Sequence, residues 1–385
     1  MKKIGIVGGG FAGTWAAMSA AATRAQQNKS DIEITLISAS ENLCIRPRLY
    51  EEISEDMLVP LRPLMDEIGV EFNFARVEKL ADTTVHTNEG ALEFDKVILC
   101  AGSHMVMPDV AGASEWGFSV DTYEDAERLK SHVNGLDLGF DKQVCLVVVG
   151  ASFTGIELVT GLRKRLGHAA RLVLIERSDE PGAALGPNVT SHVQDALRDL
   201  NIKIHVNVGV DMVNQAGVVL TNGQRIETST VVFATGLSAS KLTRNITSSD
   251  LIEADGRVEV DAMLRVPARP SIFAAGDVAR AKADPEHDTL MSCQHAMPMG
   301  VAAGRNAVLA CSGLALRPYE QPFYATCLDL GDAGAVFTQG WDRQVEKVGP
   351  AGAEMKADIN TKWIYPPSPT IGRDQIFAMI APQID

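Results

Sequence analysis

Lys3-Ile4-Gly5-Ile6-Val7-Gly8-Gly9-Gly10-Phe11-Ala12-Gly13 stands at the head of the chain, and its reading decides the fold. Ile4 to Val7 is a short apolar run of the kind that forms a buried parallel strand. Three glycines interrupt it, and the Ala-rich stretch from Phe11 to Ala25 then reads as a helix. Gly8-x-Gly10-x-x-Gly13 lies at the junction. In that spacing the first glycine permits a tight turn and the second lets a pyrophosphate approach the backbone. The third lets helix and strand pack closely, and the helix N-terminus stabilises the phosphate charge. Ile32 to Ile37 supplies the next strand of a βαβ unit.

The same grammar returns in the middle of the chain. Val144 to Val149 reads as a strand, Gly150-Ala151-Ser152-Phe153-Thr154-Gly155 as the turn, Thr154 to Leu166 as a helix, and Arg171 to Glu176 as the following strand. We read this as a duplicated domain. Ser152 replaces the middle glycine, which slightly hinders close backbone approach. Glu176 ends its strand, where a carboxylate accepts hydrogen bonds from ribose hydroxyls and repels a 2′-phosphate. NADH is therefore expected over NADPH, with the adjacent Arg177 pulling the other way. In the first unit the corresponding acid is missing: Ser38 stands there, with Glu41 three residues on. A hydroxyl holds a ribose more weakly than a carboxylate does.

The 385 residues exceed one ordinary core, so two or three domains are expected. A net charge of −14 disfavours nucleic acid and anionic lipid as partners. No leader precedes the first strand, and no run of about 18 apolar residues occurs. A cytoplasmic protein without stable membrane insertion is expected, with a homodimer left open. Cys44, Cys100, Cys145, Cys293, Cys311 and Cys327 form no CxxC or CxxxxC pair. That argues against a dithiol redox motif and against a zinc site, leaving free thiols and no metal.

Three strand-end motifs complete the pattern. Cys100-Ala101-Gly102-Ser103 follows the strand Lys96 to Leu99, and Ala234-Thr235-Gly236-Leu237 follows Thr230 to Phe233. Ala274-Ala275-Gly276-Asp277-Val278-Ala279 closes the strand Ser271 to Ala274.

In this order the motifs resemble the two-dinucleotide-binding-domain flavoproteins of the pyridine nucleotide-disulfide oxidoreductase superfamily, over roughly residues 1–310. The resemblance implies an α/β protein with two Rossmann-like, three-layer dinucleotide-binding domains and a small C-terminal α+β region. Residues 1–112 and 239–315 are expected to bind FAD, 113–238 NAD(P)H, and 316–385 to form the interface and acceptor region. Asp277 is the match to the aspartate that holds the flavin ribityl chain. The other expected FAD contacts are Gly8, Gly10, Phe11, Ala12, Gly13, Ser38, Val77, Ala101, Gly102 and Gly276. Arg46 and Arg48 are candidate pyrophosphate or flavin-side partners, with solvated surface arginines as the alternative. Gly150, Ser152, Phe153, Thr154, Gly155, Glu176 and Gly236 are the expected NADH contacts.

The missing CxxxxC argues against the disulfide-reductase branch. Met291 to Gly300 resembles the Ala-Gln-x-Ala-x-Gln-x-Gly segment of type II NADH dehydrogenases, with Gln294 and Ala296 matching and Cys293 and Pro298 departing. There the helix start faces the flavin, which would add Gln294, His295 and Ala296 to its contacts and stabilise negative charge on the reduced ring. Gly155-Ile156-Glu157-Leu158 is also similar, implying that Glu157 lies near nicotinamide and acceptor; a salt-bridge role is the alternative. His295 is a candidate proton relay or a structural histidine. Asp374 to Ile384 is too short and too little basic for a lipid anchor.

The expected activity is hydride transfer from NADH to FAD, then electron transfer to a small organic, quinone-like acceptor. The alternatives are a flavin-dependent dehydrogenase or oxidase tailoring a metabolite, a reductase of a ferredoxin- or rubredoxin-type protein, and a sulfide:quinone reductase-like enzyme using Cys327.

Overall fold

A computed structural model describes residues 1–137, 144–247, 251–267 and 269–384. Strand β1 (Lys2–Val7) runs into helix α1 (Phe11–Gln26), and β2 (Ile32–Ser38), β3 (Glu71–Phe74) and β4 (Lys96–Leu99) follow. Helix α2 (Tyr123–Asn134) leads to β5 (Val144–Val149), α3 (Phe153–Leu166), β6 (Ala170–Ile175) and α4 (Pro187–Asp199), then β7 (Lys203–His205) and β8 (Thr230–Phe233). Next come β9 (Arg269–Ala274) and the long α5 (Cys293–Cys311). A hairpin series β10 (Ala325–Asp329), β11 (Ala335–Gln339) and β12 (Gln344–Lys347) precedes α6 (Gly349–Asp358) and α7 (Arg373–Ile384).

These strands build two mainly parallel sheets. The first has the order Arg265–Val266, β9, β4, β1, β2, β3, and all pairings from β9 to β3 are parallel. The second runs Gly117–Phe118, β8, β5, β6, β7, all parallel. A parallel strand covered on both faces must be apolar throughout. The Val-Cys-Leu-Val-Val-Val run of β5 satisfies this, and Leu146, Val147 and Val148 are fully buried. The chain leaves the first sheet and returns to it at β9, where Ile272 pairs with Val97. Two short antiparallel strands, Ser103–Met105 and Leu237–Ala239, carry the outgoing and returning chain side by side.

In each sheet the glycine turn sits at the C-terminal end of a central strand, where neighbouring connections diverge to opposite sides. That crevice is where open α/β sheets bind ligands. The first crevice is shaped by contact between α1 and α5. A Cβ on Gly300 would come within 2.2 Å of the Ala12 carbonyl oxygen, and one on Gly304 within 2.2 Å of that of Ala16. Only glycine lets the two backbones approach so closely, and that approach brings the start of α5 beside the start of α1.

The C-terminal sheet lies under α6 and against the second unit. Its link to residues 46–57 runs through Asn360, in a π-helical turn, whose amide donates to the Tyr50 hydroxyl at 3.2 Å and to Glu51 at 2.6 Å. Helix α7 packs on α1 and α5 rather than standing free. No helix of the described residues is long and apolar enough to cross a membrane.

Candidate active site

At the first turn two of the three glycines are fixed by the fold itself. Gly8 has φ +111°, and a Cβ there would meet the Cys100 carbonyl oxygen at 2.3 Å. A Cβ on Gly13 would lie 1.7 Å from the Gly8 carbonyl oxygen. Gly10 differs, because a Cβ there meets nothing within 4 Å. It is the N-cap of α1 and provides no side-chain capping bond. The helix therefore presents its first amides and the positive end of its dipole to open space, the donor set a diphosphate needs. Ser38 stands beside this turn, but its hydroxyl already donates to the Ser40 carbonyl at 2.7 Å.

A polar cluster faces the same crevice. Ser103 Oγ donates to Asp277 Oδ2 at 2.6 Å. Arg46 Nη1 donates to the Ser103 carbonyl at 3.2 Å, and its Nη2 pairs with Asp121 at 2.5 Å. Burial pushes the Asp277 carboxyl up, against the opposing pull of Ser103 and Arg46. Gly276 lets Ala12 and Ala296 close in from either side: its Cβ would lie 2.8 Å from that of Ala12 and 3.4 Å from that of Ala296. Ala101 and Gly102 follow β4 at the same end, where the Cys100 amide bonds the Val7 carbonyl at 2.8 Å. Phe11 packs partly buried beside Trp15, and Val77 begins a small antiparallel sheet at the edge of this core. Ser103 was part of a quoted motif, yet nothing in its spacing marked it as the partner of Asp277.

The two candidate arginines part company. Arg46 belongs to the Asp277 cluster. Arg48 does not: its guanidinium is held by Glu51 at 3.0 Å, Asp56 at 2.6 Å and the Tyr365 hydroxyl at 2.6 Å. It is neither a solvated surface arginine nor free for a phosphate, because acids and the C-terminal segment already surround it.

The second turn repeats the first. A Cβ on Gly155 would lie 1.8 Å from the Gly150 carbonyl oxygen, and one on Gly150 would lie 2.3 Å from that of Ala234. A cleft of about 380 Å³ opens here, lined among others by Gly150, Ser152, Glu176, Arg177, Thr235 and Gly236. The Glu176 carboxylate accepts the Ala151 amide at 2.7 Å and the Ser178 amide at 2.9 Å. Burial pushes Glu176 up, but these amides outweigh it and hold the carboxyl below its usual range. Ser152 and Thr154 are exposed at the start of α3, whereas Phe153 turns inward against the second core. A larger cavity, about 530 Å³, lies between α2, α3 and Leu49–Ile53, and contains no residue of either glycine turn.

At the start of α5 the C-terminal segment engages two of the candidate side chains. Gln294 spends both ends of its amide on Ala325: Nε2 donates to the carbonyl at 2.7 Å and Oε1 accepts the amide at 3.0 Å. His295 has 0% exposure, bonds Gln321 Oε1 through Nδ1 at 3.1 Å, and stacks near Tyr324 and Trp341. Burial lowers its pKa to about 4, with Arg257 adding to the effect. Full burial counts against a proton relay, and of the two readings the structural one agrees better with the Gln321 bond and the ring stack. A drop from 6.5 to about 4 is worth about 3 kcal/mol. The unfolded chain takes up this proton first, so stability is lost as pH falls from 6.5 towards 4. His295→Gln is expected to flatten that part of the melting-temperature profile between pH 7 and pH 5.

Glu157 is 7% exposed in the first half of α3. Lys356 of α6 donates to its Oε1 at 2.7 Å and to the Cys327 carbonyl at 3.1 Å. The Asp329 amide donates to the same carboxylate at 3.1 Å. Burial pushes the Glu157 carboxyl up, and Lys356 limits the rise. Lys356 also lies 5.3 Å from the Tyr50 ring, whose hydroxyl donates to Asp329. No motif announced Lys356. Cys293 and Cys327 border this region, and burial pushes both thiols up to about 11. Such thiols stay protonated at neutral pH, which counts against chemistry through Cys327. Among the described residues no group of three or more His, Cys, Asp or Glu could hold a metal ion.

A family model described as pyridine nucleotide-disulphide oxidoreductase matches residues 2–300. An NADH dehydrogenase-like protein of Mycobacterium tuberculosis is 38% identical over 400 aligned residues, covering 100% of this chain and 99% of its own length. The type II NADH:quinone oxidoreductase of Staphylococcus haemolyticus is 23% identical, covering 94% and 95% respectively. Among solved structures, NDH2 from Plasmodium falciparum in complex with NADH aligns with a TM-score of 0.75 at 13% identity, over 98% of this chain and 97% of that one. A likeness at that identity shows the shared fold.

Proposed function

The chain belongs to the pyridine nucleotide-disulphide oxidoreductase family and is a flavin-dependent NAD(P)H oxidoreductase, and from that premise we propose that it takes a hydride from NADH onto FAD and passes the electrons to a small quinone-like acceptor. The observation that carries the reading is the pair of glycine turns, alike in construction, each feeding a helix at the crest of its own parallel sheet. We assign the first to FAD and the second to NADH. The domains follow as 1–112 with 239–315, 113–238, and 316–385; the return of β9 to the first sheet supports the discontinuous one.

When bound, the flavin supplies the two-electron chemistry, accepting a hydride from the nicotinamide and releasing electrons to the acceptor. The protein holds and orients. The α1 amides beyond Gly10 hold the diphosphate, and Asp277, fixed by Ser103, holds the ribityl chain. Ala12 and Ala296 bracket Gly276 and keep the crevice narrow. Glu176, fixed by two amides, holds the adenosine ribose of NADH. Reduction of a quinone needs protons as well as electrons, and Lys356 Nζ, paired with Glu157 at 2.7 Å, is a buried acid whose charge reaches Cys293 at the start of α5. The staphylococcal relative, named for a quinone acceptor, supports the same choice.

The test is anaerobic mixing of the purified holoprotein with NADH, followed by menadione, a ferredoxin or no acceptor. Bleaching of the visible flavin absorption by NADH and its rapid return with menadione are expected. A colour that NADH does not bleach, or that only ferredoxin restores, defeats the proposal. Glu176→Gln removes the charge facing a 2′-phosphate while keeping one acceptor oxygen. It is expected to lower the ratio of kcat/KM for NADH over NADPH by about tenfold.

A further inference from the structure

The turn between β11 and β12 reaches across to the nucleotide cleft. Residues Ala183–Leu185 form a single helical turn bracketed by Gly182 at φ +78° and Gly186 at φ +83°. Ala183 and Ala184 line the cleft, and the Gly182 amide donates to the carbonyl of Ala151 in the second glycine turn. Buried Leu185 and Thr190 Oγ1, which donates to the Gly182 carbonyl at 3.1 Å, anchor the core side of this turn. Its exposed side is held from the hairpin. Arg343 Nη1 donates to the Ala184 carbonyl at 3.2 Å, and Asn188 Nδ2 donates to the Asp342 carbonyl at 2.9 Å.

The other end of Arg343 leads to the flavin side. Its Nη2 donates to the Tyr324 hydroxyl at 3.4 Å, and its guanidinium lies 5.9 Å from that ring. Tyr324 stacks on Trp341 at 4.3 Å, and Trp341 on His287 at 4.4 Å, so the hairpin tip is clamped between rings. Tyr324 also stacks near His295 of α5 at 5.7 Å. The Gln321 amide ties the same segment to the Gln294 carbonyl at 3.0 Å. Arg343 itself sits at φ +51°, a conformation that a non-glycine residue holds only where its surroundings fix it.

We propose that Arg343 is a positioning residue that straps the Ala183–Leu185 wall of the NADH cleft to the aromatic stack behind α5, and so sets the nicotinamide against the flavin. The inference rests on the assignment of the second cleft to NADH. A misplacement of about 1 Å between reacting groups slows a reaction by about a hundredfold. Releasing the wall therefore acts on the hydride step and on nucleotide affinity, while flavin retention and reoxidation by the acceptor stay unchanged.

The experiment compares wild type, Arg343→Ala, Arg343→Lys and Asn188→Ala as holoproteins. It measures the NAD⁺ dissociation constant by calorimetry, the long-wavelength absorption of nicotinamide stacked on flavin, and the rate of flavin reduction by NADH. For Arg343→Ala the expected results are about tenfold weaker NAD⁺ binding, loss of that absorption, and reduction slowed by about tenfold to a hundredfold. Arg343→Lys keeps one of the two contacts and is expected to fall between. Wild-type affinity and wild-type absorption in Arg343→Ala overturn the strap. If Arg343→Ala does not fold, Asn188→Ala decides: weaker NAD⁺ binding supports the strap and unchanged binding overturns it. A wild-type flavin that NADH leaves oxidised defeats the proposed function instead, and the NAD⁺ affinities still decide the role of Arg343.

Discussion

Gly13→Ala is expected to give a colourless, destabilised protein, whereas Gly10→Ala folds normally and loses affinity for flavin alone. The added methyl is the same in both, but its surroundings differ. At Gly13 it would lie 1.7 Å from the Gly8 carbonyl oxygen, and that atom is backbone, not the flexible end of a side chain. Helix α1 must lift from β1 or the turn must open. Either movement disturbs a helix whose Ala16, Ala17, Met18 and Ala20 are fully buried. Overpacking a core costs about 1–3 kcal/mol when side chains can yield, and this site sits at or above the upper end. At Gly10 the backbone is extended, with φ −76° and ψ −168°, and the methyl enters open space. The empty protein keeps its stability to within about 0.5 kcal/mol. What the methyl meets is the diphosphate, if the turn holds one. Flavin absorbance per protein and the melting temperature of the stripped protein separate the two effects. A Gly10→Ala protein with a full complement of flavin would place the diphosphate elsewhere.

Both turns were legible because their signals are local. A buried parallel strand is apolar along its length, and the turn after it needs glycine at fixed offsets, so β1, β5 and their helices could be read to within a residue or two. Asp277 was singled out through the resemblance, on a Gly-Asp motif that follows β9 directly. What could not be read depends on residues distant in sequence. Arg48 is held both by nearby Glu51 and Asp56 and by Tyr365, 317 residues on, and it is the fold of that local segment against the C-terminal region that could not be read. Gln294 and His295 lie on α5 as expected, but the Gln294 amide is engaged by Ala325 and His295 Nδ1 by Gln321, both in a segment without a motif. The partners that residues 316–385 supply to these side chains lie too far along the chain for any local pattern to show them.

Lys356→Met is expected to lower stability by about 3–5 kcal/mol and to slow acceptor reduction. The methionine fills similar volume, so the loss is electrostatic: Glu157, 7% exposed, keeps only the Asp329 amide at 3.1 Å. An unpaired buried carboxylate raises its own pKa until it protonates. The folded form then binds its proton more tightly than the unfolded chain does. The variant is accordingly most stable in acid and loses stability as pH rises through the new, higher pKa of Glu157. Its deficit against wild type should narrow as pH is lowered towards 5, read from melting temperatures. Adding Glu157→Gln removes the stranded charge, and a neutral pair of similar shape is expected to recover most of the stability. Acceptor kinetics then separate docking from proton supply. If the ion pair serves only to dock α6 on α3, the double variant regains both stability and turnover. If Lys356 supplies a proton to the acceptor, stability returns while reoxidation by menadione stays slow, and flavin reduction by NADH is normal throughout. A double variant with wild-type reoxidation would remove the pair from the chemistry and leave it as a buried link between two elements 199 residues apart.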